Sequence, residues 1–277
     1  MDKPVNKRKA SLLLSTYNMP RHLELVFAAL ESQSTRDFEI ILCDDGSDAE
    51  TAAVIEGFKK TCPVPFHHVW QEHHGFRKSR ILNTGIRKST GDILIFLDGD
   101  CVPHTRFIQD HIEQSESGRY LAGRRIELGP EISEKLTPEK IISGYFDSPS
   151  LDLFKSVLKN DSTHFHRALR IGWQPLRQLL KMDQVDDLKG CNFSVDRQSM
   201  ISINGFDESY EGYGREDTDV ELRLQHLGLR IKSLKGLALQ FHVWHPRRNF
   251  TPTNETLLEN VKKEKRIRAL RGLESTQ

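Results

Sequence analysis

No apolar run in this sequence approaches the roughly 20 residues that a membrane-spanning helix needs. Closely spaced cysteines are also lacking. Cys43, Cys62, Cys101 and Cys191 are scattered, which excludes a zinc knuckle or a disulfide framework and leaves reduced thiols in a cytoplasmic setting as the economical reading. Nor is charge of one sign in excess. A net charge of +1 and a pI near 7.8 give no pull toward nucleic acid or acidic polymers. The start is basic from Met1 to Lys9, yet Ala10 to Leu14 is too short for the core of a signal peptide before Ser15-Thr16-Tyr17-Asn18 turns polar. Mean hydropathy of -0.53 describes a soluble chain, and 277 residues suffice for one large domain or one domain with a substantial insertion.

Among what is present, Asp98-Gly99-Asp100 says most. The apolar run Ile93-Leu94-Ile95-Phe96-Leu97 delivers it, so two carboxylates end a buried strand with one glycine between them. Hard divalent cations take oxygen ligands, and a cation that bridges a diphosphate is held by one or two carboxylates, phosphate oxygens and water. Residues two apart on a strand share a face, and Gly99 leaves room for a phosphate to approach. Taken alone, the triplet equally describes an acidic turn after a strand.

The first ~120 residues alternate short apolar runs with amphipathic stretches, the pattern of a parallel sheet covered by helices. Strands are expected at Ser11 to Ser15, Phe38 to Cys43, Phe66 to Trp70 and Asp92 to Leu97. Helices are expected at Arg21 to Ser32, Glu50 to Lys60 and Arg77 to Lys88, the second opened by a Ser47/Glu50 capping box. Ligands of open parallel sheets bind beyond the carboxyl ends of the strands. The loops Thr16-Tyr17-Asn18, Asp44-Asp45-Gly46-Ser47 and Asp98-Gly99-Asp100 would therefore meet, a convergence suited to a nucleotide.

Three ordered segments, Ser11-Leu-Leu-Leu-Ser-Thr-Tyr-Asn18, Ile40-Ile-Leu-Cys-Asp-Asp-Gly-Ser47 and Gly91-Asp-Ile-Leu-Ile-Phe-Leu-Asp-Gly-Asp100, resemble the nucleotide-sugar-dependent glycosyltransferases of the GT-A fold, in the inverting family-two group. Gly75-Phe-Arg-Lys-Ser-Arg-Ile-Leu-Asn83 departs from that family's commoner Gly-x-x-x-Ala-Arg-Asn run and marks a branch. The resemblance implies an α/β GT-A fold with a mostly parallel sheet and helices on both faces. It also implies an acidic residue of the second loop on the base of the nucleotide, carried here to Asp44 and Asp45. Turn and cap chemistry around Gly46 is the competing role for one of them. Thr16 and Tyr17 match the loop packed against the base. Arg77 and Lys78 stand at a helix start, where the dipole gives cations no benefit, so contact with uracil or diphosphate is expected of them; a solvated basic patch is the alternative for Lys78. His73 and His74 read as loop histidines.

From Arg124 to Asp187, Pro130, Pro138, Pro149 and Pro175 punctuate segments whose apolar faces include Phe154, Phe165 and Trp173. A helical insertion, 124–187, is expected between a nucleotide-sugar half, 1–123, and an acceptor half, 188–250, of a single domain. In the latter, Lys189-Gly-Cys-Asn-Phe-Ser-Val-Asp196, Asn204-Gly-Phe-Asp207 and Gly212-Tyr-Gly-Arg-Glu-Asp-Thr-Asp-Val-Glu221 resemble galactosyl- and N-acetylgalactosaminyltransferases and bacterial chondroitin polymerases. That resemblance makes Asp217 the general base, with Glu216 beside it as a further catalytic candidate. A Thr218/Glu221 capping box would leave Asp217 just outside the helix and free for chemistry; the rival reading makes Asp217 the N-cap itself.

Similar transferases end an apolar strand with a histidine as third protein ligand. In Ala238-Leu-Gln-Phe-His242-Val-Trp-His245 that position is His242, giving Asp98, Asp100 and His242 as the metal set for Mn²⁺ or Mg²⁺. On a continuous strand His242 and His245 face opposite sides; in a turn both could reach the metal. A helix from Asn254 to Arg271 carries six basic residues, read as a solvated face, with attraction to anionic lipid at the inner membrane surface as the alternative. The expectation is thus an inverting glycosyltransferase that moves a hexose or N-acetylhexosamine from a UDP-sugar to a glycan or lipid-linked glycan, in bacterial surface polysaccharide or lipopolysaccharide synthesis. The rivals are a nucleotide-sugar pyrophosphorylase, which calls for a glycine-rich loop where Ser15-Thr-Tyr-Asn18 stands, and a non-catalytic nucleotide- or carbohydrate-binding module.

Overall fold

Ile93 to Leu97 is buried throughout, which requires cover on both faces, and a parallel sheet between two helical layers supplies it. The computed structural model describes residues 8–148, 151–159, 162–163, 165–246 and 249–274. Its strands are β1 (Ala10–Thr16), β2 (Phe38–Asp44), β3 (Phe66–Trp70), β4 (Ile93–Asp98), β5 (Cys101–Pro103), β6 (Arg119–Ala122), β7 (Arg125–Glu127), β8 (Asn192–Asp196), β9 (Arg230–Ser233) and β10 (Gln240–His242). Seven form a sheet in the order β3-β2-β1-β4-β8-β6-β9, and three a smaller sheet in the order β5-β10-β7. The first four are parallel to one another, whereas β8 runs antiparallel to both β4 and β6. The fold is α/β with a mostly parallel central sheet.

Alternation along the strands sorts the core into two layers. Leu12, Leu14, Ile40, Leu42, Ile93 and Ile95 pack with α1 (Pro20–Glu31) and α2 (Ala49–Thr61). Leu13, Ile41, Leu94 and Phe96 face the other way, toward Ile81, Leu82 and Ile86 of α3 (Lys78–Lys88). The remaining helices are α4 (Phe107–Gln114), α5 (Pro130–Glu134), α6 (Pro138–Ile142), α7 (Leu151–Leu158), α8 (Gln174–Leu179), α9 (Arg197–Ser202), α10 (Glu216–His226) and α11 (Thr253–Glu264). Val220 and Leu224 of α10 join the second layer.

Several local expectations are corrected. Asp48, not Ser47, caps α2, accepting from the Thr51 N–H at 2.9 Å, while the Ser47 hydroxyl takes the Asn18 N–H. The segment 124–187 opens with a strand, β7, before its short helices, and it buries less than its apolar content suggested. α7 turns Leu153 and Ser156 inward but leaves Leu151 and Leu158 exposed, and Trp173 is exposed as well. Pro149 lies outside the described residues. The last helix stops at Glu264, where Lys265 turns left-handed. Arg266 then pairs with Glu264 and Arg268 with Glu274, so the expected basic face is broken up. Among the described residues no helix is long and apolar enough to cross a membrane.

Candidate active site

Strand register brings the three loops together. Thr16 lies opposite Asp44 and Ser15 opposite Asp98, so the carboxyl ends of β1, β2 and β4 are adjacent at one edge. They open into a cleft of about 1380 Å³ that also takes in Asp217 and the two histidines near 240. At its floor the Gly99 N–H donates to the Ser15 carbonyl at 2.8 Å. A Cβ on Gly99 would stand only 3.0 Å from that oxygen, so a side chain there would have to push the end of β1 back by a few tenths of an ångström.

The acidic loop after β2 divides its labour. Asp44 is buried and spent, holding the Ser47 N–H at 2.9 Å and His68 at 3.0 Å. It does not line the cleft; Asp45 does. Asp45 accepts from Gln71 Nε2 at 2.6 Å and from the Arg77 N–H at 2.9 Å. Tyr17 lines the cleft and stacks on His73, ring centroids 4.0 Å apart; His73 is thus a support for the loop after β1. Arg77 departs from expectation. Its backbone serves Asp45, but its guanidinium donates to the Glu72 carbonyl and borders a separate small pocket beside Tyr210. Lys78 does point into the cleft, where it pairs with Asp98. Burial opposes its charge, but Asp98 and Glu216 raise its pKa well above the ordinary value.

Asp98 therefore stands apart from the expected metal set: its Oδ1 accepts from Lys78 and, at 2.7 Å, from the Ser15 hydroxyl. The three groups that converge are Asp100, His242 and His245. Asp100 Oδ2 lies 3.1 Å from His245 Nε2 and 3.7 Å from His242 Nε2, and the two Nε2 atoms are 3.2 Å apart. Both histidines can face Asp100 because β10 ends at His242 and the chain leaves strand geometry before His245. Register explains the placement of His242, which lies opposite Cys101 on β5 and opposite Glu127 on β7.

Each ring meets an acceptor at Nδ1, Glu127 Oε2 at 2.8 Å for His242 and the Pro246 carbonyl at 2.8 Å for His245. The neutral rings then carry their protons on Nδ1 and turn Nε2 lone pairs toward Asp100. Two lone pairs and a carboxylate so close together repel unless positive charge sits among them. This donor set fits a divalent cation, and its two imidazoles favour Mn²⁺ over Mg²⁺. Burial raises the Asp100 pKa, but where no cation is bound a proton on His245 Nε2 donated to Asp100, with His242 nearby, outweighs it and holds the carboxyl well below the usual range. Burial likewise works against Glu127, while His242 and Arg125 bring it down to about 2.

Across the cleft, Glu216 and Asp217 open α10. The preceding Arg215 is left-handed, φ 77°, and offers no side-chain cap, and a Cβ on Gly214, φ 110°, would meet the Phe250 ring at 2.6 Å. The expected Thr218/Glu221 capping box is absent. Glu221 is drawn away by the Leu188 N–H at 3.0 Å and the Tyr120 hydroxyl at 3.1 Å, and Asp217 lies inside the first helical turn. It is still not an N-cap: its Oδ2 accepts the Gly190 N–H at 3.1 Å and its Oδ1 the Thr218 N–H at 2.7 Å. Glu216 is buried, and that burial, together with Asp217, raises its pKa to about 7 against a partial offset from Lys78. Asp219 is structural, in a fully buried ion pair with Arg223 at 2.6 Å.

Residues 11–201 match the model of glycosyl transferase family 2. The chain belongs to that family. Residues 177–246 match the N-terminal domain of galactosyltransferase, in keeping with the resemblance read from the acceptor motifs. The glycosyltransferase is 28% identical over 261 residues to the uncharacterized glycosyltransferase YfnE of Bacillus subtilis, covering 86% of this chain and 65% of the relative. It is 24% identical over 251 residues to an Escherichia coli chondroitin synthase, covering 84% and 34%. The chain thus spans only part of the length of these curated relatives. Among solved structures, GalNAc-T7 with UDP, GalNAc and Mn²⁺ superposes with a TM-score of 0.64 at 14% identity, over 93% of this chain and 48% of that one. A mannosyltransferase of Pyrobaculum calidifontis with GDP-Man and Mn²⁺ gives 0.60 at 17%, over 88% and 59%. These likenesses establish the GT-A fold.

The sequence leaves His245 open as a ligand if the chain turns, and the Pro246 that follows it marks the end of strand geometry. Glu127 escaped the motif reading, because its contact with His242 spans more than a hundred positions and depends on pairing between two three-residue strands.

Proposed function

We propose that this glycosyltransferase moves a hexose or N-acetylhexosamine from a UDP-sugar to a glycan hydroxyl, with inversion. The observation that carries the reading is that the Asp100, His242 and His245 donor set shares one cleft with Asp217. A divalent cation held by that set would supply charge neutralisation at the diphosphate leaving group. Thr16, Tyr17 and Asp45 form the nucleotide end. Lys78, part-buried and paired with Asp98, offers an ammonium to a phosphate oxygen at the end of β4.

Asp217 accepts the proton from the acceptor hydroxyl as that oxygen attacks the anomeric carbon from the face opposite the leaving group. Two backbone N–H groups fix its carboxylate for the task. Glu216, with its pKa raised toward neutrality, holds a proton more readily and spares the site a second adjacent negative charge. No covalent intermediate is needed, so the single displacement inverts.

The test is Asp217→Asn, assayed with a panel of UDP- and GDP-sugars and Mn²⁺. Asparagine keeps the shape and one acceptor oxygen, so it can retain only one of the two N–H bonds; donor affinity should hardly change and the melting temperature should fall only slightly. Transfer should fall roughly a hundredfold or more. Near wild-type transfer would remove Asp217 from the chemistry.

A further inference from the structure

The segment from Arg124 to Gly190 supplies one wall of the cleft, and that wall is cationic. Arg124, Arg125, Arg167 and Lys189 line it against two carboxylates, Glu127 and Asp187. Both carboxylates are already committed. Asp187 carries Arg124 at 2.5 Å and Lys189 at 2.6 Å, while Glu127 carries Arg125 at 2.6 Å and also orients His242.

Arg167, on the 3-10 turn Phe165–Ala168, has no carboxylate partner among the described residues. It donates from Nη1 to the Arg125 carbonyl at 3.3 Å and otherwise faces the cleft. Burial and the neighbouring Arg124 lower its pKa, and Glu127 and Asp187 offset them only in part, so on balance its surroundings work against the charge it carries. A guanidinium held beside other cations, with its planar fork toward a cleft, is matched by a carboxylate or phosphate.

The position of the wall says which ligand would bring that anion. At one end the wall adjoins the donor set, where Glu127 orients His242 and the diphosphate belongs. At the other it runs into the proposed base: Arg124 and Lys189 share Asp187, and Lys189 precedes Gly190, whose N–H holds Asp217. Whatever lies along it must present a hydroxyl to Asp217. We infer that Arg167, backed by Arg124 and Lys189, is an anion-recognition subsite for the acceptor, selecting a glycan that bears a carboxylate or phosphate close to its reacting hydroxyl. The inference rests on the transferase reading above and gives the segment 124–187 a role in acceptor choice.

The test uses the whole chain with Mn²⁺ and UDP, first confirming by calorimetry that they bind. Three probes follow: an oligosaccharide ending in glucuronate, its methyl ester, and the same oligosaccharide ending in glucose 6-phosphate. At least one anionic probe should bind about tenfold or more tighter than the ester, as a charge-assisted bidentate contact allows, and the preference should shrink as salt rises. The tighter of the two anions identifies the chemistry. Arg167→Gln should erase the preference while UDP and Mn²⁺ bind as before, and Arg167→Lys should keep part of it. Equal binding of acid, phosphate and ester, or detectable binding of none, with UDP and Mn²⁺ bound normally, overturns the subsite; failure of UDP and Mn²⁺ to bind wild-type protein would strike the donor reading instead.

Discussion

Replacing Glu216 by glutamine should make the protein more stable, and increasingly so as pH rises. The side chain is buried, next to Asp217, with its pKa lifted from 4.5 to about 7. A carboxyl whose folded pKa is raised binds more protons folded than unfolded, so its contribution to stability is intact below the unfolded value and drains away up to the folded one. Between about pH 5 and pH 8 the loss comes to about 2.5 kcal/mol at about 1.4 kcal/mol per unit. Glutamine can still accept the Gly214 N–H that Glu216 Oε2 takes at 3.0 Å, and it has no charge to desolvate. The advantage of Glu216→Gln over wild type should therefore grow by about 2 to 3 kcal/mol across that interval. Urea unfolding of both proteins at the two pH values, without metal or nucleotide, measures it. Parallel pH profiles would show that Glu216 is ionised at no special cost, and the division of labour between it and Asp217 would lose its physical basis.

Asp100→Ala should abolish the Mn²⁺ dependence of UDP binding without unfolding the chain; equal calorimetric affinity for UDP with and without Mn²⁺ in wild type would defeat the donor-set reading. His242→Ala and His245→Ala should each weaken Mn²⁺ binding, since both Nε2 atoms face Asp100, and unchanged affinity in His245→Ala would return the site to a single histidine. Glu127→Gln leaves all three donors in place but loosens the His242 tautomer, so Mn²⁺ affinity should drop by about tenfold or more, and titration with Mn²⁺ would register no change if Glu127 only balances Arg125.

The donor half was readable because its signals are local. β1, β2 and β4 are apolar runs that end in Thr16, Asp44 and Asp98, and buried parallel strands announce themselves by continuous hydrophobicity. Once their order is set, the meeting of the three loops follows from topology. Less legible are the residues whose role depends on where one side chain turns at an element's end. Arg77 and Lys78 are neighbours at the start of α3, yet one guanidinium leaves the cleft and one ammonium enters it. Asp44 and Asp45 divide in the same way. β5, β7 and β10 have three residues each, too few for any periodicity to show, and the placement of His242 between Asp100 and Glu127 depends on all three. The capping box at Thr218 failed because Glu221 found better partners across the fold, a tertiary contact overriding a local pattern.

What joins the two halves of the site is the one reversal in the large sheet. β8 runs antiparallel to β4, with Asn192 opposite Leu97, so the start of β8 lies beside the end of β4, and the residues before it, Gly190 and Cys191, reach the rim that holds Asp98. A parallel β8 would have carried its first residues to the far edge of the sheet. With the strand reversed, Gly190 can bring its N–H to Asp217, and a Cβ there would stand 3.1 Å from the Asp217 Cβ, a tight contact that a side chain would relieve only by shifting Asp217. The carboxylate proposed as base is thereby fixed to the strand next to the donor motif, while the helix that bears it is anchored through Val220 and Leu224 in the core beneath. Asp100 and Asp217 lie more than a hundred residues apart in the chain, and the antiparallel β4–β8 pairing, with the Gly190 N–H held by Asp217, brings their segments to one rim.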